Sequence, residues 1–185
     1  MPLSETMFYF TAEEDREPAP AGRPAILFPR PCEVHGVDRL DRVYLHNGPD
    51  PDFYYRRRRD QVKFFVLGCG SGFPGCFRVS MGTNRTDGYA VFVSREDGAY
   101  YAHAMEEFEP LLAAHGRPVD RAPRFVEQND LAVRPPEKID PAVYDDPLWR
   151  EYDSRCTGCG RCNVVCPTCT CFSTQDLFYL GCQGL

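Results

Sequence analysis

An α+β fold is predicted for this chain of 185 residues: a mixed α/β N-terminal domain followed by a small cysteine-rich lobe. Three observations carry that expectation. Strand-like and helix-period apolar segments alternate between residues 25 and 116. A proline-punctuated stretch without periodicity follows them, and seven of the ten cysteines then fall between Cys156 and Cys182. The resulting division is a mobile lead-in over 1–24, an α/β docking domain over 25–140 and a lobe over 141–185.

The elements follow in order. Glu13 to Pro24 is rich in Glu, Pro and Ala and reads as a loop before a first strand at Ala25 to Phe28. From Glu33 to Tyr44, Val34, Val37, Leu40 and Val43 recur at spacings of three behind Pro31, which predicts an amphipathic helix. After a turn at Asn47-Gly48-Pro49, Asp52 to Asp60 is a short helix leading into a buried strand at Val62 to Leu67. Further strands are expected at Cys76 to Met81, Tyr89 to Ser94 and Ala99 to His103, then a helix from Glu107 to His115 closed by Gly116. Prolines at 118, 123, 135, 136 and 141 mark Arg117 to Pro141 as a linker lying along the first domain. Pro141 to Tyr152 then forms a short helix, with Pro147 as an alternative start, that sets Leu148 and Trp149 against the lobe.

A chain of this length buries roughly 70% of its unfolded surface, so a hydrophobic core is available. The net charge of −6 argues against a nucleic-acid binder. No apolar run is long enough to span a bilayer, and Met1 to Phe10 lacks a basic start followed by an apolar stretch. A cytoplasmic location is expected. In a reducing compartment, ten cysteines read as metal ligands more readily than as disulfides.

The motif Cys156-x-x-Cys159-x-x-Cys162-x-x-x-Cys166-Pro167 carries the chemistry. Three cysteines at intervals of three followed by Cys-Pro form the ligand run of a cubane 4Fe-4S cluster, making the lobe ferredoxin-like. Gly158 and Gly160 let the backbone wrap the cluster and aim amides at its sulfurs, and Pro167 stops the loop from continuing as a helix. The competing readings are a zinc site, which usually pairs separated Cys-x-x-Cys knuckles, and disulfides. Cys169 and Cys171 lie just beyond and are further candidates. Either Cys166 completes one cluster, or Cys166, Cys169 or Cys171 serves a second centre whose remaining ligands these residues do not supply.

Other patterns are weaker. Gly70-Ser71-Gly72-Phe73-Pro74-Gly75 fits G-x-G-x-x-G, but a dinucleotide site needs that turn to open a helix, and the following segment is short and β-prone. Cys69 and Cys76, on either side of it, are read as core residues, with a metal site or a redox pair as the alternative. Cys32 is read as structural. The run Arg56 to Arg59 is either a docking site for an acidic partner or a solvated helix face. His35, His46, His103 and His115 show no metal-ligand spacing, and no catalytic residue is assigned.

Four blocks give the chain a resemblance to the iron-sulfur subunits of the anaerobic sulfite reductase family. They are Arg30-Pro31-Cys32-Glu33 with Leu40-Asp41, Phe53-Tyr54-Tyr55-Arg56-Arg57, Cys76 to Asn84, and Arg155 to Asp176. The last is the most specific, because Thr168-Cys169-Thr170-Cys171-Phe172 after the Cys-Pro is not a general ferredoxin feature. The resemblance implies an iron-sulfur electron-transfer role. The chain would pass electrons from a flavin- and NADH-binding partner to a sirohaem partner that reduces sulfite to sulfide, with Cys156, Cys159, Cys162 and Cys166 matching the family's first cluster motif. Related hydrogenase-associated subunits share parts of the pattern and supply the alternative; a structural zinc-binding or iron-sulfur sensing module is another. The family pattern continues to a second ferredoxin run while this chain stops at Leu185, so the resemblance implies a C-terminally truncated chain with an incomplete lobe. Arg78 stands where the family tends to carry cysteine.

Overall fold

The computed structural model describes residues 6–18, 23–166, 168–170 and 175–178. It resolves into two compact units, Met1–Pro24 with Thr170–Leu185, and Ala25–Cys169. In the first unit, β1 (Tyr9–Phe10) and β2 (Asp15–Arg16) pair antiparallel, Tyr9 opposite Arg16 and Phe10 opposite Asp15. The second strand falls inside the stretch expected to be loop. Thr11 turns the chain: its hydroxyl accepts the amides of Glu13 and Glu14, at 3.2 and 3.1 Å.

Helices and strands are mixed along the larger unit, and the fold is α+β. Its elements are β3 (Ala25–Leu27), α1 (Pro31–Tyr44), α2 (Phe53–Arg59), β4 (Val62–Leu67), β5 (Val91–Glu96), β6 (Ala99–Ala104) and α3 (Glu109–His115, entered through a 3-10 turn at Glu106–Phe108). The sheet order is β3-β4-β5-β6. β3 and β4 are parallel with Ile26 opposite Lys63, β4 and β5 are parallel with Val66 opposite Phe92, and β5 and β6 are antiparallel with Val93 opposite Ala102. The β3-α1-α2-β4 passage is a βαβ crossover, the connection that parallel neighbours require. The β5–β6 hairpin turns on Asp97 and Gly98, at φ +50° and +80°, the left-handed pair favoured in two-residue hairpins.

Period-two alternation along β4 builds two layers. Phe64 and Val66 face the core with Val34 and Phe92; Val37, Val62, Tyr89 and Phe125 pack around them. Full burial of each such side chain stabilises the fold by roughly 1.5–3 kcal/mol. On the other face, Phe65 meets Phe28 and Phe108 edge-on at 5.7 and 5.0 Å, and Lys63 pairs with Glu107 at 2.7 Å.

Pro31 opens α1, and the Glu33 carboxylate accepts the Arg30 amide at 2.6 Å in a capping box. The Asp52 carboxylate caps α2 by accepting the Tyr55 amide at 2.7 Å. Gly116 closes α3 with its amide on the Leu112 carbonyl at 2.8 Å, in extended rather than left-handed conformation.

Cys76 to Met81 is not a strand. The Gly82 amide returns to the Val79 carbonyl at 3.1 Å and the Thr83 amide to that of Arg78 at 2.9 Å, with Gly82 at φ +64°. The turn tucks Arg78 inside, 5% exposed, where an extended segment would place neighbouring side chains on opposite faces. The proline-rich segment is pinned along this region: Asn129 Oδ1 accepts the Val79 amide at 2.8 Å, and Asn84 Nδ2 donates to the Val126 carbonyl at 2.8 Å. Phe125 meets Phe92 at 5.0 Å.

Candidate functional site

The cysteine segment begins on α4 (Pro147–Arg155), which follows a 3-10 turn at Pro141–Asp145. The Asp146 carboxylate caps α4 by accepting the Leu148 amide at 2.8 Å, Pro147 occupies the first turn, and Arg155 pairs with Glu151 at 2.9 Å. Trp149 Nε1 donates to the Val143 carbonyl, tying the helix to the preceding turn.

Cys156 ends α4 in extended conformation. Gly158 and Gly160, at φ +67° and +66°, reverse the chain twice, with Cys159 between them. A side chain at either glycine costs about 1–2 kcal/mol in that region, so this tight path around Cys159 depends on glycine. α5 (Arg161–Val165) follows, with Cys162 in its first turn and Cys166 at its C-terminal cap. Periodicity gave no sign of this five-residue helix; its signal is the left-handed Gly160, whose carbonyl accepts the Asn163 amide at 3.0 Å.

The local geometry favours thiolates. The Gly158 amide donates to Cys156 Sγ at 3.4 Å. The Arg161 amide, then the Thr157 hydroxyl, holds the Cys159 thiol below its ordinary value. Cys166 lies 3.1 Å from the Thr168 hydroxyl, and that contact, then the Thr168 amide and Cys169, pulls its thiol down to about 7. Cys156, Cys159, Cys162 and Cys169 are exposed and Cys166 is half-buried; Cys171 and Pro167 lie outside the described residues. Neither α4 nor α5 buries a residue, and Trp149, Tyr152, Val164 and Val165 are at least half exposed at 50%, 55%, 72% and 72%.

Among the described residues, no three Cys, His, Asp or Glu side chains are arranged to hold one metal ion, so the predicted ligands share a loop without converging on a point. The donor set nevertheless suits a cubane cluster in its chemistry: four closely spaced thiols, two of them depressed, and backbone amides aimed at sulfur. Each thiolate of a cubane caps a different iron, so its ligands need not meet at one point as those of a single tetrahedral ion do.

A second thiol group lies in the α/β layer. Cys32 sits in the first turn of α1, and Cys69 and Cys76 close the ends of the glycine-rich loop after β4. Arg78 Nε donates to Cys76 Sγ at 2.9 Å, and the Arg78 charge also interacts with Cys69. Burial raises the Cys76 thiol, but the hydrogen bonds from the Arg78 amide and guanidinium outweigh it and leave the thiol below its ordinary value. Cys32 stays high because burial outweighs the Arg78 charge. Sequence reasoning marked Arg78 only as standing where the resembled family tends to carry cysteine, and missed it as the centre of this group.

The glycines of the G-x-G-x-x-G motif serve this loop. A Cβ on Gly72 would stand 2.7 Å from Asn129 Nδ2, and Gly75 takes φ +82°. No helix follows, so the nucleotide-binding context is absent here. In the arginine run, Arg59 binds Asp41 at 3.0 Å and lies over Phe64, and Arg57 lies over Phe53 and Tyr54 at 5.3 and 5.4 Å. The run is therefore partly engaged within the chain.

Fold and site together define an α+β protein that displays a four-thiol loop on an unburied helix pair. Over an alignment of 199 residues the chain is 28% identical to sulfhydrogenase 2 subunit beta of Pyrococcus furiosus, covering 98% of this chain and 58% of that protein. It is thus a distant relative of an oxidoreductase subunit and spans less than two thirds of that relative's length. This similarity favours the hydrogenase alternative over the sulfite reductase reading. No family profile matches the chain, and no solved structure matches it. No helix among the described residues is long and apolar enough to cross a membrane.

Proposed function

We propose that this chain is an iron-sulfur electron-transfer subunit of a cytoplasmic hydrogenase-type oxidoreductase complex, with Cys156, Cys159, Cys162 and Cys166 holding a 4Fe-4S cluster. The observation that carries the reading is the cysteine loop itself: ferredoxin spacing, two left-handed glycines, amides donated to sulfur and depressed thiols. The similarity to a sulfhydrogenase beta subunit supports the same class.

When bound, such a cluster supplies one-electron transfer. The chain's own residues provide the rest. Asp146 and Pro147 fix the start of α4, Gly158 and Gly160 free the backbone amides to face the sulfurs, and the Thr168 hydroxyl keeps Cys166 ready to ionise. The exposed flank of α4, with Trp149 and Tyr152 beside Cys156, fits a surface that a partner subunit covers, bringing its own redox group near the loop. With no hydrolytic triad or phosphate-binding loop legible in its sequence, the chain would act as a relay between a flavin- and NADH-binding partner and a catalytic partner.

Iron, zinc and acid-labile sulfide per chain after anaerobic purification, with electron paramagnetic resonance of the dithionite-reduced protein, test this. About four irons and four sulfides with a reduced-cluster signal are expected, and Cys159→Ser should lower both. Zinc without sulfide in protein never exposed to air would sink the reading in favour of a structural zinc module. A second reading, a sulfite reductase relay, draws on the Thr168-Cys169-Thr170-Cys171-Phe172 block. The partner separates the two: nickel in the co-purifying catalytic chain supports the hydrogenase class, and sirohaem supports sulfite reduction.

A further inference from the structure

The proposed relay leaves the thiol group around Arg78 without a role. Arg78 is 5% exposed and Cys76 is 6% exposed, so a charged guanidinium and a thiol are enclosed together. Arg78 Nε donates to Cys76 Sγ at 2.9 Å, and Cys69 is near enough to act on the same guanidinium electrostatically. One cation thus binds the Cys76 sulfur and influences that of Cys69, at the other end of a loop containing Gly70, Gly72 and Gly75. Cys69 is half-buried and lines a cavity of ≈ 150 Å³ with Ser94, Arg95 and Arg124. One thiol is therefore reachable from solvent and the other only from within the site.

We propose that Cys69 and Cys76 form a dithiol exchange site for low-molecular-mass disulfides, with Cys69 as the entering thiol, Cys76 as the resolving thiol and Arg78 as the cation that acts on both. Cys69, as thiolate, attacks one sulfur of the small disulfide; the S–S bond breaks, a mixed disulfide forms on Cys69 and one small thiolate leaves. Cys76, as thiolate beside Arg78, then attacks the Cys69 sulfur, and the second small thiolate leaves. The two protein thiols are oxidised to one disulfide, the small disulfide is reduced to two thiols, and the two protons go to solvent or to the leaving thiolates. Excess small thiol reverses both steps.

Three observations support this assignment of roles. Burial keeps bulky reagents from Cys76 but not the sulfur of its loop partner. The Arg78 hydrogen bonds favour the Cys76 thiolate, the form that attacks. Cys32, the third thiol nearby, is pushed up by its own burial and stays protonated, so it does not compete.

Tryptic cleavage after Lys63 and Arg78 leaves Cys69 and Cys76 in one peptide, Phe64 to Arg78. The anaerobically reduced full chain is incubated with oxidised and reduced glutathione at graded ratios, quenched in acid, alkylated, digested and analysed by mass spectrometry. The expected result is this peptide short of two hydrogens and unalkylated, reverting in excess reduced glutathione. Cys76→Ser should leave glutathione parked on Cys69, and Cys69→Ser should leave Cys76 free of adduct. Arg78→Met should slow disulfide formation by about tenfold, through the smaller thiolate fraction of Cys76. The proposal is overturned if Cys32 takes part in the disulfide, or if the peptide stays fully reduced while cysteines of the 156–182 region oxidise. It fails equally if Cys69→Ser acquires an adduct on Cys76. Because the two cysteine variants leave Arg78 in place, the assignment stays testable even where Arg78→Met does not fold.

Discussion

Asp41 joins the two helices of the βαβ crossover, and its removal should be among the most costly polar substitutions in the chain. Its carboxylate accepts the Tyr55 hydroxyl at 2.6 Å and Arg59 Nε at 3.0 and 3.1 Å, while the Tyr55 ring stacks on Tyr44 at 4.8 Å. In Asp41→Ala, the Tyr55 hydroxyl, on a residue only 9% exposed, loses its acceptor. That loss costs about 1–1.5 kcal/mol. The ion pair has side chains 24% and 17% exposed, so water recovers part of its value and about 1–1.5 kcal/mol is added. The expected sum is about 2–3 kcal/mol, or roughly 4–12 °C in Tm for a chain of this size. Thermal unfolding followed by near-ultraviolet circular dichroism, which reports the packed tyrosines, measures it. In a double-mutant cycle with Tyr55→Phe, a coupling of about 1 kcal/mol is expected between the two positions. A loss below about 0.5 kcal/mol for Asp41→Ala, or no coupling, would refute the claim that this carboxylate holds α1 to α2.

Three further outcomes follow from the geometry. Burial, then the bond to Asp41, raises the Tyr55 phenol above its ordinary value of 10.0, so its contribution to stability is present below pH 10 and is lost as pH rises toward the raised folded value; unfolding curves of Tyr55→Phe across pH 9–11 should show a flatter alkaline limb than the parent. A Cβ on Gly68 would stand 2.7 Å from Phe92 Cζ, so Gly68→Ala should lower stability in urea by about 1–3 kcal/mol, and an unchanged midpoint would mean that Phe92 yields freely. In protein stripped of iron, alkylation of Cys166 should rise through about pH 7 as its lowered thiol ionises, and Thr168→Val should move that rise toward the ordinary thiol range; coincident profiles would show that the hydroxyl does not act on it.

The elements legible in the sequence are those whose signals are local. The spacing of Val34, Val37 and Leu40 behind Pro31 marks α1 because a helix repeats within one turn. The run Val62 to Leu67, apolar but for Lys63, marks β4 with the bounds the structure shows. The cysteine spacing from 156 to 166 is likewise a local signal, and the structure adds to it the left-handed turns at Gly158 and Gly160. Cys76 to Met81 failed because its alternation of apolar and polar residues suits a strand, whereas the segment folds in turns around Arg78. That choice depends on Asn129, fifty residues along the chain, accepting the Val79 amide.

Neighbouring residues alone suffice for the α+β class, the main helix and strand of the βαβ unit, and the thiol loop with its two glycines, because each follows from groups within a turn or two of one another. Strand order, the bond between Asp41 and the Tyr55 hydroxyl, and the enclosure of Arg78 with Cys69 and Cys76 came from the folded chain and from nothing shorter. Those depend on which distant segments meet, and the cost of burying a charge is met there by acceptors that no local pattern identifies.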